Sequence, residues 1–179
     1  MIGVTYAIEE TDMEEFIKSQ LLNKSDELDS VNAEWKEKSL KYADSPDGVY
    51  LPRAVTYRAL EINPVYTLDE NIVDADGFVI YTAGTKVNPL EIHPLTKILC
   101  FFDGGDQLQI EWVSSRCSSN PANKLIMTTG SLKRVNESIN SRIYFDQRGF
   151  LTSRFEIKAL PAVVRQSGNV LYMEEFPVE

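Results

Sequence analysis

Two cysteines, a close pair of aspartates and one histidine are the side chains of this 179-residue chain whose types suit nucleophilic, redox or metal chemistry. Cys100 sits inside the apolar run Ile98-Leu99-Cys100-Phe101-Phe102, and Cys117 stands at the end of the helical pattern that follows it. A thiol becomes a nucleophile only as thiolate, which requires exposure and a positive environment, and a buried-strand run supplies neither. A helix that follows a strand runs back across the sheet, so the two sulfurs can approach. Two buried reduced thiols are the preferred reading, and a disulfide is the alternative. Asp103 and Asp106 flank Gly104-Gly105 and have the spacing of a carboxylate pair for acid-base work. No His, Ser or Lys stands beside them in sequence, and aspartate at a glycine-rich strand end is the usual cap of the next helix. His93, between Ile92 and Pro94, reads as a loop residue. With no C-x-x-C and a single histidine, a Cys/His zinc site lacks ligands.

A second acidic group, Asp69, Glu70, Asp74 and Asp76, raises calcium. An EF-hand register with Gly77 at the sixth loop position puts Ile72 first and Ala83 twelfth, so the obligatory carboxylates are absent. The stretch is a turn with acidic decoration. No cofactor site emerges, and the net charge of −9 argues against a nucleic-acid surface, which needs clustered Lys and Arg. Acidity is concentrated: residues 1–50 hold 12 acids against 5 bases, whereas 51–179 hold 15 against 13. No window has the apolar length of a membrane span, which argues against direct membrane insertion, and Met1-Ile2-Gly3 opens no signal-peptide pattern. That is compatible with an untargeted soluble chain and equally with a mature secreted one.

The elements that must position these groups follow in order. Thr5 to Ile8 is an extended leader. Thr11 and Glu14 form a capping-box pattern, and Met13, Phe16, Ile17 and Leu21 share a face, which predicts a helix over 12–22. Residues 23–48 carry a thin stripe, Val31, Trp35 and Leu40, predicting a second, marginal helix before the linker Ser45-Pro46-Asp47-Gly48. Val49 to Tyr66 reads as irregular extended chain. Asn71 to Tyr81 is a hairpin around Asp76-Gly77. From Lys97 the pattern is strand, helix to Arg116, strand at Leu125-Ile126-Met127, helix with Leu132, Val135 and Ile139, strand at Ile143-Tyr144-Phe145, then Asp146 to Gly149 as a turn. Leu151, Phe155 and Ile157 suit a short helix that Pro161 must stop; the Leu160-Pro161 bond is open to the cis form. Val163-Val164 and Val170 to Met173 close the chain as a hairpin around Gly168. Alternating strands and helices mean a largely parallel sheet, made mixed by that hairpin.

The order β-α-β-α-β-α-Pro-β-β, with Pro161 and Gly168 in place, resembles the thioredoxin-like fold. Where that fold carries C-x-x-C, this chain has Phe102-Asp103-Gly104-Gly105-Asp106, so the catalytic thiols do not transfer. A closer resemblance covers most of the chain from Tyr66 onward. Asp74-Ala75-Asp76-Gly77, Tyr81-Thr82-Ala83-Gly84-Thr85-Lys86-Val87-Asn88-Pro89-Leu90, Phe101-Phe102-Asp103-Gly104 and Ile143-Tyr144-Phe145-Asp146-Gln147-Arg148-Gly149 are similar to the TraW family of F-type conjugative type IV secretion systems. That resemblance implies a periplasmic protein without catalytic residues, active in pilus assembly with TrbC-like and TraU-like partners. The pattern along the chain divides it into a helical region at 1–48, an extended segment with a hairpin unit at 49–96, and a thioredoxin-like domain lacking C-x-x-C at 97–179. The expected function is a non-enzymatic assembly scaffold. A partner segment is expected near Pro161 and the loop Asp103, Gly104, Gly105, Asp106, where thiol-active relatives hold substrate. The alternatives are a thiol enzyme using Cys100, and a cytosolic regulatory protein of the same fold.

Overall fold

The computed structural model describes residues 12–179, and within helix α1 it leaves the side chains of residues 23 and 25–28 undescribed. The leader at Thr5 to Ile8 and the cap at Thr11 lie outside the described residues. The chain divides into two compact units, one ending at Ala43 and the other spanning Asp44–Glu179.

The first unit is built on α1, Met13–Asp44, one helix of 32 residues where two were predicted. No Gly or Pro interrupts residues 13–44, so the thin apolar stripe of the second half is not a stop signal. Asp12 caps it by accepting from the Glu14 N–H at 2.9 Å. Glu14 and Glu15 in the first turn and Lys41 in the last oppose the helix dipole. Glu34 and Lys38, one turn apart, pair at 2.6 Å.

The second unit contains a mixed six-stranded sheet in the order β1-β10-β9-β6-β7-β8. Its strands are β1 (Arg58–Ile62), β6 (Leu99–Phe102), β7 (Lys124–Met127), β8 (Ile143–Phe145), β9 (Ala162–Ser167) and β10 (Val170–Glu175). β6, β7 and β8 are parallel, and β9, β10 and β1 join antiparallel. The helices are α2 (Pro89–Ile92), α3 (Gln107–Arg116), α4 (Leu132–Ser138) and α5 (Phe150–Arg154). The arrangement is a helix-flanked mixed sheet consistent with a thioredoxin-like α/β fold.

Strand β6 shows how the apolar run makes two cores. Successive strand side chains point to opposite faces. Cys100 and Phe102 pack with Ile110 and Val113 of α3 and Val135 of α4, whereas Phe101 packs on the other face with Ile157, Leu160 and Leu90. A central strand buried on both faces must be apolar throughout, which is why Leu99 to Phe102 carries no alternation.

Two predicted boundaries shift. Arg58–Ile62, expected as irregular chain, is an edge strand whose Leu60 faces Met173 across the ladder, so residues 49–96 are not separate from the sheet. Arg58 fixes that edge: its Nε and Nη2 donate to Glu175 at 2.8 and 2.6 Å. The hairpin forms as predicted, with β3 (Ile72–Val73) against β4 (Val79–Tyr81), and it continues through β2 (Tyr66–Thr67) against β5 (Lys86–Val87) into a two-stranded ribbon. The Asn88 side chain caps α2 and donates to Asn169 O, and buried Leu90 roots the ribbon in the core.

Candidate functional site

Strand β6 ends where its apolar run meets Asp103, and the chain turns through two glycines into α3. Asp106 is the N-cap, accepting from the Leu108 N–H at 3.1 Å. Asp103 ties the turn: its Oδ1 accepts from the Gly105 N–H at 2.7 Å and from Thr129 Oγ1 at 2.5 Å. A Cβ on Gly104 would stand 2.2 Å from Met127 Sδ and 2.9 Å from Thr129 O, so the turn requires glycine there. Both aspartates are spent on local order rather than set up as an acid-base pair.

The Leu160-Pro161 peptide is cis and lies beside this turn through an unexpected intermediary. Segment 52–54 runs between them. Ala54 N–H donates to Leu160 O at 2.8 Å, and Leu160 N–H donates to Pro52 O at 2.9 Å, a parallel bridge centred on Arg53. The Arg53 guanidinium grips Asp106 with both arms, Nε to Oδ2 and Nη2 to Oδ1, each at 2.8 Å. Burial alone would raise the Asp106 pKa, but hydrogen bonds from Arg53, Gln109 and the Leu108 N–H outweigh it and hold the carboxyl below its usual range.

Upstream, the same strap is fastened to the ends of two more strands. Val49 N–H donates to Thr128 O at 3.2 Å, and Arg148 N–H donates to Asp47 O at 3.0 Å. Gly48 passes so close that a Cβ would meet Thr128 O at 1.8 Å. In open sheets with parallel strands, ligands sit beyond the carboxyl ends of those strands. Here the chain's own residues 47–54 lie across that region.

The strap thus runs beside the residues expected to receive a partner segment. Of those five residues, Gly104 and Pro161 are buried, Asp103 and Asp106 are half-buried and engaged, and Gly105 is exposed. Arg53 is the residue that the sequence reading missed. It is 53 positions from Asp106, and no local pattern joins them.

The cysteines also depart from the preferred reading. Cys100 and Cys117 are joined by a disulfide, with Cα atoms 6.6 Å apart. The ten residues of α3 return across β6 by about 15 Å, bringing its C-cap back over the start of the strand. Both sulfurs lie in the α3 and α4 core, Cys100 at 0% exposure and Cys117 at 3%.

The remaining candidates do not converge. His93 is the exposed C-cap of α2. Asp74 Oδ1 accepts from the Asp76 and Phe78 N–H groups at 3.0 and 2.9 Å, closing the ribbon turn. Among the described residues no three His, Cys, Asp or Glu side chains are grouped to hold a metal ion. A polar cleft of about 310 Å³ lies at the start of β7 and β8. There Lys124 Nζ donates to Tyr144 Oη at 2.6 Å, holding that phenol below its usual pKa.

No family model matches the chain, and no solved structure matches it significantly. A curated relative does: Protein TraW of Escherichia coli (strain K12) is 30% identical over 182 residues, covering 99% of this chain and 87% of the relative. The match takes in the long helix, the strap, the ribbon and the sheet in one alignment, and by it the chain belongs to the TraW family.

Proposed function

We propose that this chain is a non-enzymatic assembly component of an F-type conjugative type IV secretion system. It works in the periplasm, supports pilus assembly, and acts through contacts with TrbC-like and TraU-like proteins. The observation that carries this reading is the similarity to Protein TraW over 99% of this chain. Two features of the site support it. The position at the α3 N-terminus that would need a thiol holds aspartates and glycines, and the strap occupies the space before it. Against the thiol-enzyme alternative stands the burial of Cys100, which has no access to a substrate disulfide. In the described residues no helix is long and apolar enough to cross a membrane, which fits a protein that acts beside one.

The test is an in-frame deletion of the gene in a donor strain, with pili counted by microscopy and transfer frequency scored. Loss of both, restored by the wild-type gene, is expected, along with recovery of TrbC-like and TraU-like proteins on the tagged chain. Unchanged pili and transfer in the deletion strain would refute the proposal.

A further inference from the structure

We propose that the β2–β5 ribbon, residues 66–87, is a docking arm for an extended, apolar segment of another protein flanked by Lys or Arg. This rests on the assembly reading above and gives its contacts a place.

Among the described residues the ribbon is a two-stranded element with no layer beneath it. Every residue of β2, β3 and β4 is exposed. Ile72, Val73, Phe78, Val79, Ile80 and Tyr81 all show large apolar surface, Phe78 at 72% and Ile80 at 57%. Because side chains alternate between strand faces, a run such as Val79-Ile80-Tyr81 exposes both faces of the ribbon. A lone hairpin of this kind is marginal in water, and contiguous exposed apolar patches mark interaction surfaces. At the base of the arm a cleft of about 540 Å³ opens between Tyr66, Leu68, Tyr81, Pro89 and Ile92, wide enough to seat an anchoring side chain. β4 has β3 on one side and a free edge on the other, the geometry an added strand uses.

Charge selects the occupant. Asp69, Glu70, Asp74 and Asp76 surround the apolar residues, and Lys86 is the lone cation of residues 66–87. Among the described residues none of these four carboxylates takes part in an ion pair. A second copy of the chain would set this acidic rim against itself, and an anionic membrane surface would be repelled. A basic, apolar segment of a different protein satisfies both the charge and the exposed faces.

The experiment places the photo-crosslinking residue p-benzoylphenylalanine at Phe78, at Ile80 and, as a control, at exposed Phe150, in donor cells carrying the transfer genes. Adducts are identified and the crosslinked segment mapped by mass spectrometry. Adducts at positions 78 and 80 with an apolar segment bordered by Lys or Arg are the expected result. Glu70→Lys/Asp76→Lys, which leaves the Asp74 turn intact, should lower their yield by at least about tenfold. Adducts only between copies, adducts on an acidic segment, or adducts at Phe150 alone would each overturn the docking arm. If the arm captures such a basic segment in a protein encoded outside the transfer genes, the arm stands and the conjugative reading fails.

Discussion

Arg53 ties the strap to the α3 N-terminus through its guanidinium. Its fork on Asp106 is half-exposed on the arginine side and largely covered on the carboxylate side. Arg53→Ala therefore strands a covered carboxylate, and a loss of about 1–2 kcal/mol in urea unfolding is expected after discounting for solvent. Gly48→Ala should cost at least about 2 kcal/mol in the same assay, because the new methyl meets backbone that cannot yield. Glu175 follows the same logic at the other edge. Burial would raise its pKa, but Arg58 and the N–H groups of Lys158 and Ala159 outweigh burial and depress it. A depressed folded pKa means the stabilisation is complete above the unfolded value of about 4.3 and is lost as pH falls through the lower folded value. Thermal melts from pH 7 to pH 2.5 should show a steep acid limb in the wild type. In Arg58→Met the limb should flatten, and an unchanged limb would mean the pair is energetically idle.

Elements built from local patterns were legible; those joined across the chain were not. β6, β7, α3 and the closing hairpin announce themselves as apolar runs between turn residues, and Pro161 marks its corner. β1 was hidden because only two of its three inward side chains, Leu60 and Ile62, are apolar, in a stretch punctuated by Pro52 and Pro64. Helix α1 was split because amphipathic periodicity fades in its second half while nothing there breaks a helix. The disulfide belongs to this scale, since it joins a strand to the helix that crosses it over a separation of 17 residues. Cys100→Ala/Cys117→Ala should lower stability by about 3 kcal/mol, as closing a loop of that length would suggest. Calorimetry checks the loss, and a near-zero change would mean that the packing of α3 alone holds the unit.

At the scale of the whole molecule, residues 47–54 lie across the carboxyl ends of the parallel strands and the two sulfurs are joined in the core, while an acidic, apolar ribbon is exposed in the Asp44–Glu179 unit. In the proposed assembly role the protein acts by what it holds. Transfer frequency is the most direct measure of that claim, scored in a deletion donor complemented with Cys100→Ala/Cys117→Ala at a temperature where the variant accumulates to wild-type levels. Transfer restored to within about tenfold of wild type is the expected result, since the proposed role gives the cysteines stability to supply and no chemistry. Abolished transfer from a folded, abundant variant would contradict it and return Cys100 and Cys117 to the centre of the mechanism.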